Sequence, residues 1–295
     1  MILLWGVPGD DPLDVVWAAL GRLGADARLL DQRDIRRAAI DIDAATGGAT
    51  GMVTVAGGEI DLRTVGAAYI RPQQSSADGG RADAALIAWA DLTRAGVVNR
   101  PAAMAANNSK PYQLRLIARL GFDVPDTLVT TDPEQARRFR RRHGRVIYKS
   151  VSGIRSIVSQ LDEIDLERLA DVANGPTQFQ QHIAGEDVRV HVVDQEVFAT
   201  CARSPADDYR YASQADAPLQ LAMAEIPAAI ADRCRAASRA MGLPVAGIDL
   251  RHTPDDRWVC FEVNPSPAFT FYEHATGQPI GAAIAQLLMR LDVRR

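Results

Sequence analysis

Apolar and polar positions along this chain repeat with two different periods, and the switches between them mark out its elements. Residues 2–7 are an unbroken apolar run that predicts a buried first strand. A turn at Pro8-Gly9-Asp10-Asp11-Pro12 follows, then helical periodicity ending near Gly24, then a second strand over 27–31. Residues 52–56 and 59–62 flank Gly57-Gly58, a two-residue hairpin signal. Another strand is expected at 67–71 and a helix at 81–95, with a boundary near residue 100 at the Asn99-Arg100-Pro101 turn. Beyond it the pattern predicts a helix from about 110 and a strand at 127–130. A helix should begin after Asp132-Pro133, where Asp caps and Pro suits the first turn, and a strand should end at Lys149. From about 177 strand pairs take over: 178–183, 187–193 and 197–203. A helix over 224–241 separates these from strands at 245–251 and 258–263, and a last helix spans 279–291. The fold class is α/β at the start and α+β beyond, in three units of residues 1–100, 101–176 and 177–295.

At 295 residues with 47% apolar content, the chain is long enough for several packed units. A net charge of −4 argues against a protein that lives on nucleic acid, which needs a concentrated basic face. The run from Arg137 to Arg142 is the one basic stretch, and Ala136 and Phe139 give it an inward side, so it is expected to be the solvated face of a short helix. Cys201, Cys234 and Cys260 have neither pairing nor metal-ligand spacing and read as reduced, buried thiols of a cytoplasmic protein. The apolar start lacks a basic leader and is read as a strand rather than a signal peptide, and no stretch approaches the length of a membrane span.

Only two residues are lysine, Lys110 and Lys149, among 33 Lys and Arg together. An arginine-rich codon bias accounts for that, and so does a need for a compact point charge that a planar guanidinium does not supply. Lys110 opens a helical stretch, and Lys149 ends a strand and enters the loop Ser150-Val151-Ser152-Gly153-Ile154-Arg155-Ser156.

The densest chemistry is Gly247-Ile248-Asp249-Leu250, a polar turn at 253–256, and Cys260-Phe261-Glu262-Val263-Asn264. Glu262 and Asn264 are two apart in a strand and share a face. A hairpin centred between Pro254 and Asp255 pairs Asp249 with Cys260 and brings Asp249 to that face, a conclusion that one register slip undoes. Two carboxylates and an amide oxygen form a hard site suited to Mg²⁺. They also read as ordinary strand-end and half-exposed residues. A second cluster, Asp187, Arg189 and His191, lies opposite Val188, Val190 and Val192 and is expected to line a polar cleft, with His191 structural. Arg203 ends the next strand, and Arg210 sits in Asp208-Tyr209-Arg210, a loop able to reach the same cleft; either is also an ordinary surface charge.

The order of these motifs resembles the ATP-grasp superfamily of carboxylate–amine ligases. The shared pattern is an Asn-Xaa-Lys helix start at Lys110, a strand-borne Lys149 before a small-residue loop, a Gln-rich hinge ending in Ile183, an Asp187-Val188-Arg189 hairpin, and Gly-Ile-Asp followed by Glu-Val-Asn. Within it, the chain is most similar to ribosomal-protein glutamate ligases and microviridin-type peptide ligases, through 107–113, 122–128, Asp208-Tyr209-Arg210 and 276–280. The resemblance implies an ATP-grasp fold preceded by a Rossmann-like pre-ATP-grasp domain. It implies ATP phosphates at Lys110 and Lys149, with Ser152, Gly153 and Ser156 in the phosphate loop, adenine at Gln181 to Ile183, and ribose at Asp187. Mg²⁺, or Mn²⁺ in its place, goes to Asp249, Glu262 and Asn264. Arg203 meets the γ-phosphate or acyl phosphate, and Arg189 and Arg210 the substrate carboxylate or phosphate. The implied activity joins a carboxylate, on a peptide or protein, to an amine or a hydroxyl through an acyl phosphate. A small-metabolite ligase of glutathione-synthetase type and a nucleotide-binding regulator without turnover are the rivals, and homo-oligomerisation stays open. The phosphate loop departs from the glycine-rich pattern, with one Gly and several hydroxyls, so Arg155 is assigned to neither phosphate nor substrate.

Overall fold

In the computed structural model, residues 1–35, 38–45, 48–73, 80–150, 159–205, 209 and 218–293 are described. The chain starts with β1 (Ile2–Gly6), α1 (Asp11–Arg22), β2 (Ala27–Asp31) and the short α2 (Gln32–Ile35). An antiparallel meander follows, β3 (Ala39–Ala45), β4 (Gly48–Val55) and β5 (Gly58–Asp61), and then β6 (Ala67–Arg71), α3 (Gly80–Leu92) and β7 (Gly96–Val98). Strands β2-β1-β6-β7 form a parallel sheet, the arrangement of a Rossmann-like domain. Every residue of β1 is buried because both faces are covered, as an unbroken apolar run requires. Leu3 and Trp5 pack toward α3, while Ile2 and Leu4 pack toward α1 and the chain's last helix. The hairpin signal at Gly57-Gly58 is displaced by one residue: Val55 pairs with Gly58, so Ala56-Gly57 is the loop.

The second unit contains α4 (Pro101–Met104), α5 (Lys110–Arg119), β8 (Thr127–Thr130), α6 (Pro133–His143), β9 (Val146–Ser150), β10 (Ser159–Gln160), α7 (Glu163–Glu167) and β11 (Thr177–Gln181). Asp132 caps α6 by accepting from the Glu134 amide at 2.8 Å, and the arginines of that helix other than Arg140 lie exposed around a buried Ala136, as expected. The sheet runs β10-β9-β11-β8, with one face closed by Ala136, Leu161, Leu169 and Val172 around Phe179.

Sheet pairing corrects two expectations here. Residues 177–181 were assigned to the C-terminal unit, yet β11 pairs with β8 and β9 and belongs to the central sheet. Its neighbour in sequence, β12 (Glu186–Val193), enters a different sheet, so the two form a crossing rather than a hairpin. The crossing requires a glycine: at Gly185, with φ of 150°, a Cβ would lie 2.3 Å from the His252 carbonyl oxygen.

The last unit adds β13 (Glu196–Arg203), β14 (Gln220–Met223), α8 (Ala228–Ala240), β15 (Val245–His252), β16 (Trp258–Asn264), α9 (Thr270–Thr276) and α10 (Ile280–Val293). Its antiparallel sheet, β14-β13-β12-β15-β16, buries Val188, Val190 and Val192 against α8 and Ile117 of α5. Helix α10 returns to the first sheet, and the N-terminal ammonium meets Asp292 at 3.2 Å. Among the described residues no helix is long and apolar enough to cross a membrane.

Candidate active site

The site is built on the hairpin β15–β16, whose register differs from the expected one. His252 pairs with Trp258 and Leu250 with Cys260, after which a bulge omits Phe261 and Asp249 pairs with Glu262. Continued without the bulge, the hairpin would set Asp249 opposite Phe261. The extra residue restores the shared face, with the two carboxylates as a direct cross-strand pair whose Cβ atoms are expected about 5 Å apart. Asn264 pairs with Gly247, two positions along the same face.

Each carboxylate meets a cation. Arg189 Nη1 donates to Asp249 Oδ1, and Lys110 Nζ donates to Glu262 Oε1. Lys110 also donates to Asn107 Oδ1 at 2.6 Å, so the helix start delivers it to the carboxylate strand. Gln113, one turn further along α5 and 1% exposed, fixes that delivery. Its Nε2 donates to the Val263 carbonyl at 2.8 Å and its Oε1 accepts from the Val263 amide at 3.2 Å. The amide oxygen of Asn264 accepts from the Ser266 amide at 2.9 Å, so this residue is at once a turn former and a member of the face.

Arg189 and His191 are buried, at 5% and 0% exposure, so β12 presents a covered polar face rather than a half-exposed one. Space for the guanidinium comes from Gly247, where a Cβ would lie 2.1 Å from Arg189 Nη2. Burial works against the Arg189 charge, but Asp249 and the Tyr272 and Tyr209 hydroxyls outweigh it and raise its pKa above the ordinary value. Arg189 Nε lies 3.4 Å from His191 Nε2, and burial together with the Arg189 charge holds His191 well below the usual histidine range. The Tyr272 ring covers both, with the Arg189 guanidinium carbon 5.7 Å from its centroid, and its hydroxyl lies 2.9 Å from that of Tyr209.

Asp187 and Ile183, expected at ribose and adenine, are tied together by Arg251. Its Nη2 reaches the Asp187 oxygens at 2.6 and 2.8 Å, and its Nη1 donates to the Ile183 carbonyl at 2.7 Å. Gln181 ends β11 just before this crossing. Lys149 stands on β9 opposite Gln178 of β11. Arg203 is not brought to the carboxylates: it is exposed, on the face of Glu186, to which it donates at 2.8 Å. Ser152, Gly153, Arg155, Ser156 and Arg210 lie outside the described residues. The three cysteines are free and buried, and burial pushes the Cys234 thiol up to about 12.

No role was read from sequence for Gln113, Gly247, Arg251 or Tyr272, although Gly247 heads the Gly-Ile-Asp motif. For Arg251 the signal was available, since it sits two residues from Asp249 in the same strand and opposite Asp187. The partners of the other three are distant in sequence or set by register.

Among the described residues no group of three or more His, Cys, Asp or Glu side chains is placed to hold a metal ion. The candidate set takes its third member from an amide. Its donors are all hard oxygens, and both carboxylates already face positive charge, so the residues fit a divalent cation of the Mg²⁺ kind.

The sequence profile of the RimK-like ATP-grasp domain matches residues 106–288. The chain is 29% identical over 204 residues to the ribosomal protein bS6–L-glutamate ligase of Salmonella paratyphi B, and 26% over 201 residues to a probable alpha-L-glutamate ligase of Photobacterium profundum. These matches cover 65% of this chain and 67% and 66% of the two relatives. The fold matches solved structures of the ATP-grasp ligase PsnB. With minimal precursor bound, the TM-score is 0.84 at 26% identity, over 98% of both chains. With a phosphomimetic precursor variant, Mg and ADP, it is 0.82 at 28%, over 99% and 98%. With precursor peptide PsnA2 and AMPPNP, it is 0.79 at 25%, over 99% and 97%. The resemblance drawn from the sequence, to ribosomal-protein glutamate ligases and to peptide-modifying ligases, is borne out, and the chain belongs to the RimK-like ATP-grasp family.

Proposed function

We propose that the protein is an ATP- and Mg²⁺-dependent ligase that activates a carboxylate and joins it to an amine, with a peptide or protein as one partner. The observation that carries this reading is the cross-strand pair of Asp249 and Glu262, set on one face by a bulge and flanked by Arg189 and Lys110. Such a cluster suits phosphoryl transfer, where the protein's task is to position the reactants and neutralise charge. A substrate carboxylate oxygen attacks the γ-phosphorus of ATP and the bond to ADP breaks. The amine nitrogen then attacks the acyl carbon, phosphate departs, and the nitrogen loses a proton.

Asp249, Glu262 and Asn264 would hold the metal, which supplies charge neutralisation at the phosphates. Lys110 and Lys149 would contact phosphate oxygens, joined by Ser152, Gly153 and Ser156, whereas Arg203, on the opposite sheet face with Glu186, is given no part in this grip. Gln181 and Ile183 would border the adenine and Asp187 the ribose, with Arg251 keeping the latter two in place. Arg189 and Arg210 would grip the acceptor carboxylate, for which a guanidinium fork is suited. The peptide assignment draws on the ribosomal protein and precursor named for the relatives.

The test is ADP release with ATP and Mg²⁺ against acidic peptides and against free amino acids. Stimulation by peptide above free glutamate is expected. Efficient ligation of free amino acids with no response to peptides would move the assignment to a small-metabolite ligase, and no ADP release with any acceptor pool would favour a regulator.

A further inference from the structure

Gln178 is fully buried at 0% exposure, and among the described residues neither its amide nitrogen nor its amide oxygen has a hydrogen-bond partner. Two uncompensated polar atoms on one buried side chain are unfavourable for folding, and a folded protein that retains them calls for an explanation in function. The residue lies on β11, a middle strand of the central sheet, directly opposite Lys149 of β9 and Val129 of β8. Its neighbour Phe179 fills the core beneath the helices, so by alternation Gln178 faces the other way, on the side of Lys149 and Gln180. Gln180 is treated differently: its Nε2 donates to Thr127 Oγ1 at 3.1 Å. The uncompensated amide is therefore particular to position 178, beside a lysine and one turn of strand before the crossing at 181–185.

We propose that Gln178 reads the adenine base along its N7 edge, with Nε2 donating to N7 and Oε1 accepting from the 6-amino group. This rests on the reading of the protein as an ATP-dependent ligase. A carboxamide carries a donor and an acceptor side by side, the complement of the acceptor and donor that adenine presents along that edge. Guanine presents two acceptors there, N7 and O6, so one amide atom would oppose a like partner. A buried polar group discriminates strongly, because the wrong ligand leaves it unpaired. Residues 181–183 remain for the opposite edge of the base, which gives the nucleotide two independent checks. Gln178 is thus a specificity-determining residue whose amide is completed by the ligand.

The test is calorimetric titration of the 295-residue chain with ATP, GTP and 7-deaza-ATP in the presence of Mg²⁺ and without acceptor, so that binding is read apart from turnover. The parent should bind ATP about tenfold or more tightly than either analogue. Gln178→Met should weaken ATP about tenfold and leave the two analogues nearly unchanged, so that discrimination disappears. It should also raise the melting temperature of the nucleotide-free protein. Gln178→Glu supplies a second arm should the Met variant not fold: it keeps an acceptor and loses the donor, so preference over 7-deaza-ATP should vanish while preference over GTP persists. Variants that keep the parent's ratios of ATP to both analogues overturn the assignment of Gln178 and leave the ligase reading standing. A parent that binds no ATP overturns the ligase reading, and this inference with it.

Discussion

The central and C-terminal sheets handle buried polar side chains in different ways. In the C-terminal sheet, Arg189 has Asp249, Glu262 has Lys110, and the Val263 backbone has both ends of the Gln113 amide. In the central sheet, Gln178 keeps both amide atoms without a partner among the described residues. The first arrangement holds charges in place for the reaction and needs nothing added to stay folded. The second is complete only with something bound. Chemistry that depends on preorganisation thus sits on charges paired with one another, although His191 Nδ1 beside them has no hydrogen-bond partner among the described residues, and ligand selection sits on an amide with neither atom paired.

The strongest way to break this comparison is to remove a charge from the satisfied side. Glu262→Ala should lower turnover about 10² to 10³-fold, the usual effect of losing one preorganised stabilising group, with melting temperature little changed. ADP release near the parent's rate would remove Glu262 from the metal site. Crowding the buried pair comes next. In Gly247→Ala the new methyl enters the space of the Arg189 guanidinium, and a loss of about 1–3 kcal/mol in urea-unfolding stability is expected. An unchanged denaturation midpoint would mean that Arg189 moves aside freely and is not held for catalysis.

Gln113→Leu sharpens the contrast, since it creates on the satisfied side the defect that position 178 already carries. It leaves the Val263 amide and carbonyl without their side-chain partners, and a cost of about 1–2 kcal/mol in the same assay is expected. The smallest effect concerns pH. Because the folded state depresses the His191 pKa, the unfolded chain binds more protons below the free value of about 6.5, and stability should fall with acidification. Arg189 and the Tyr272 ring face this imidazole, and neither gains charge in that range. Between pH 6.5 and 5.5 the contribution is about 1 kcal/mol, and it should be absent from the stability profile of His191→Phe. Superimposable profiles for parent and variant would show that His191 is not kept neutral.

Much of the fold was legible in local pattern. Strands at 67–71 and 127–130, and the helix capped by Asp132, fall where periodicity and turn residues placed them. Strands β3, β7, β10 and β14 were not anticipated. β3 does alternate, with half-buried Ile40 and Ile42 between exposed Asp41 and Asp43, but aspartate is depleted in strands and masks the signal. β7 is three residues long, too short for a period to register. The identities of Asp249, Glu262 and Asn264 as one face were also legible, although the register offered for them was not the one adopted. The sheet membership of 177–181 was not legible, because a strand's own residues do not reveal which of two sheets it joins.

Side-chain alternation, helical periodicity, caps and breakers act over a few residues, and the amino-acid order therefore dictated most elements and the face on which each chemical group emerges. Register, bulges and the partners of buried polar groups arise from contacts across long stretches of chain, as between Gln113 and Val263 or Asn99 and Val245. Their energies depend on what folding brings together, and so the pairing of Asp249 with Glu262, the burial of Arg189 and the isolation of Gln178 emerged only from the packed molecule.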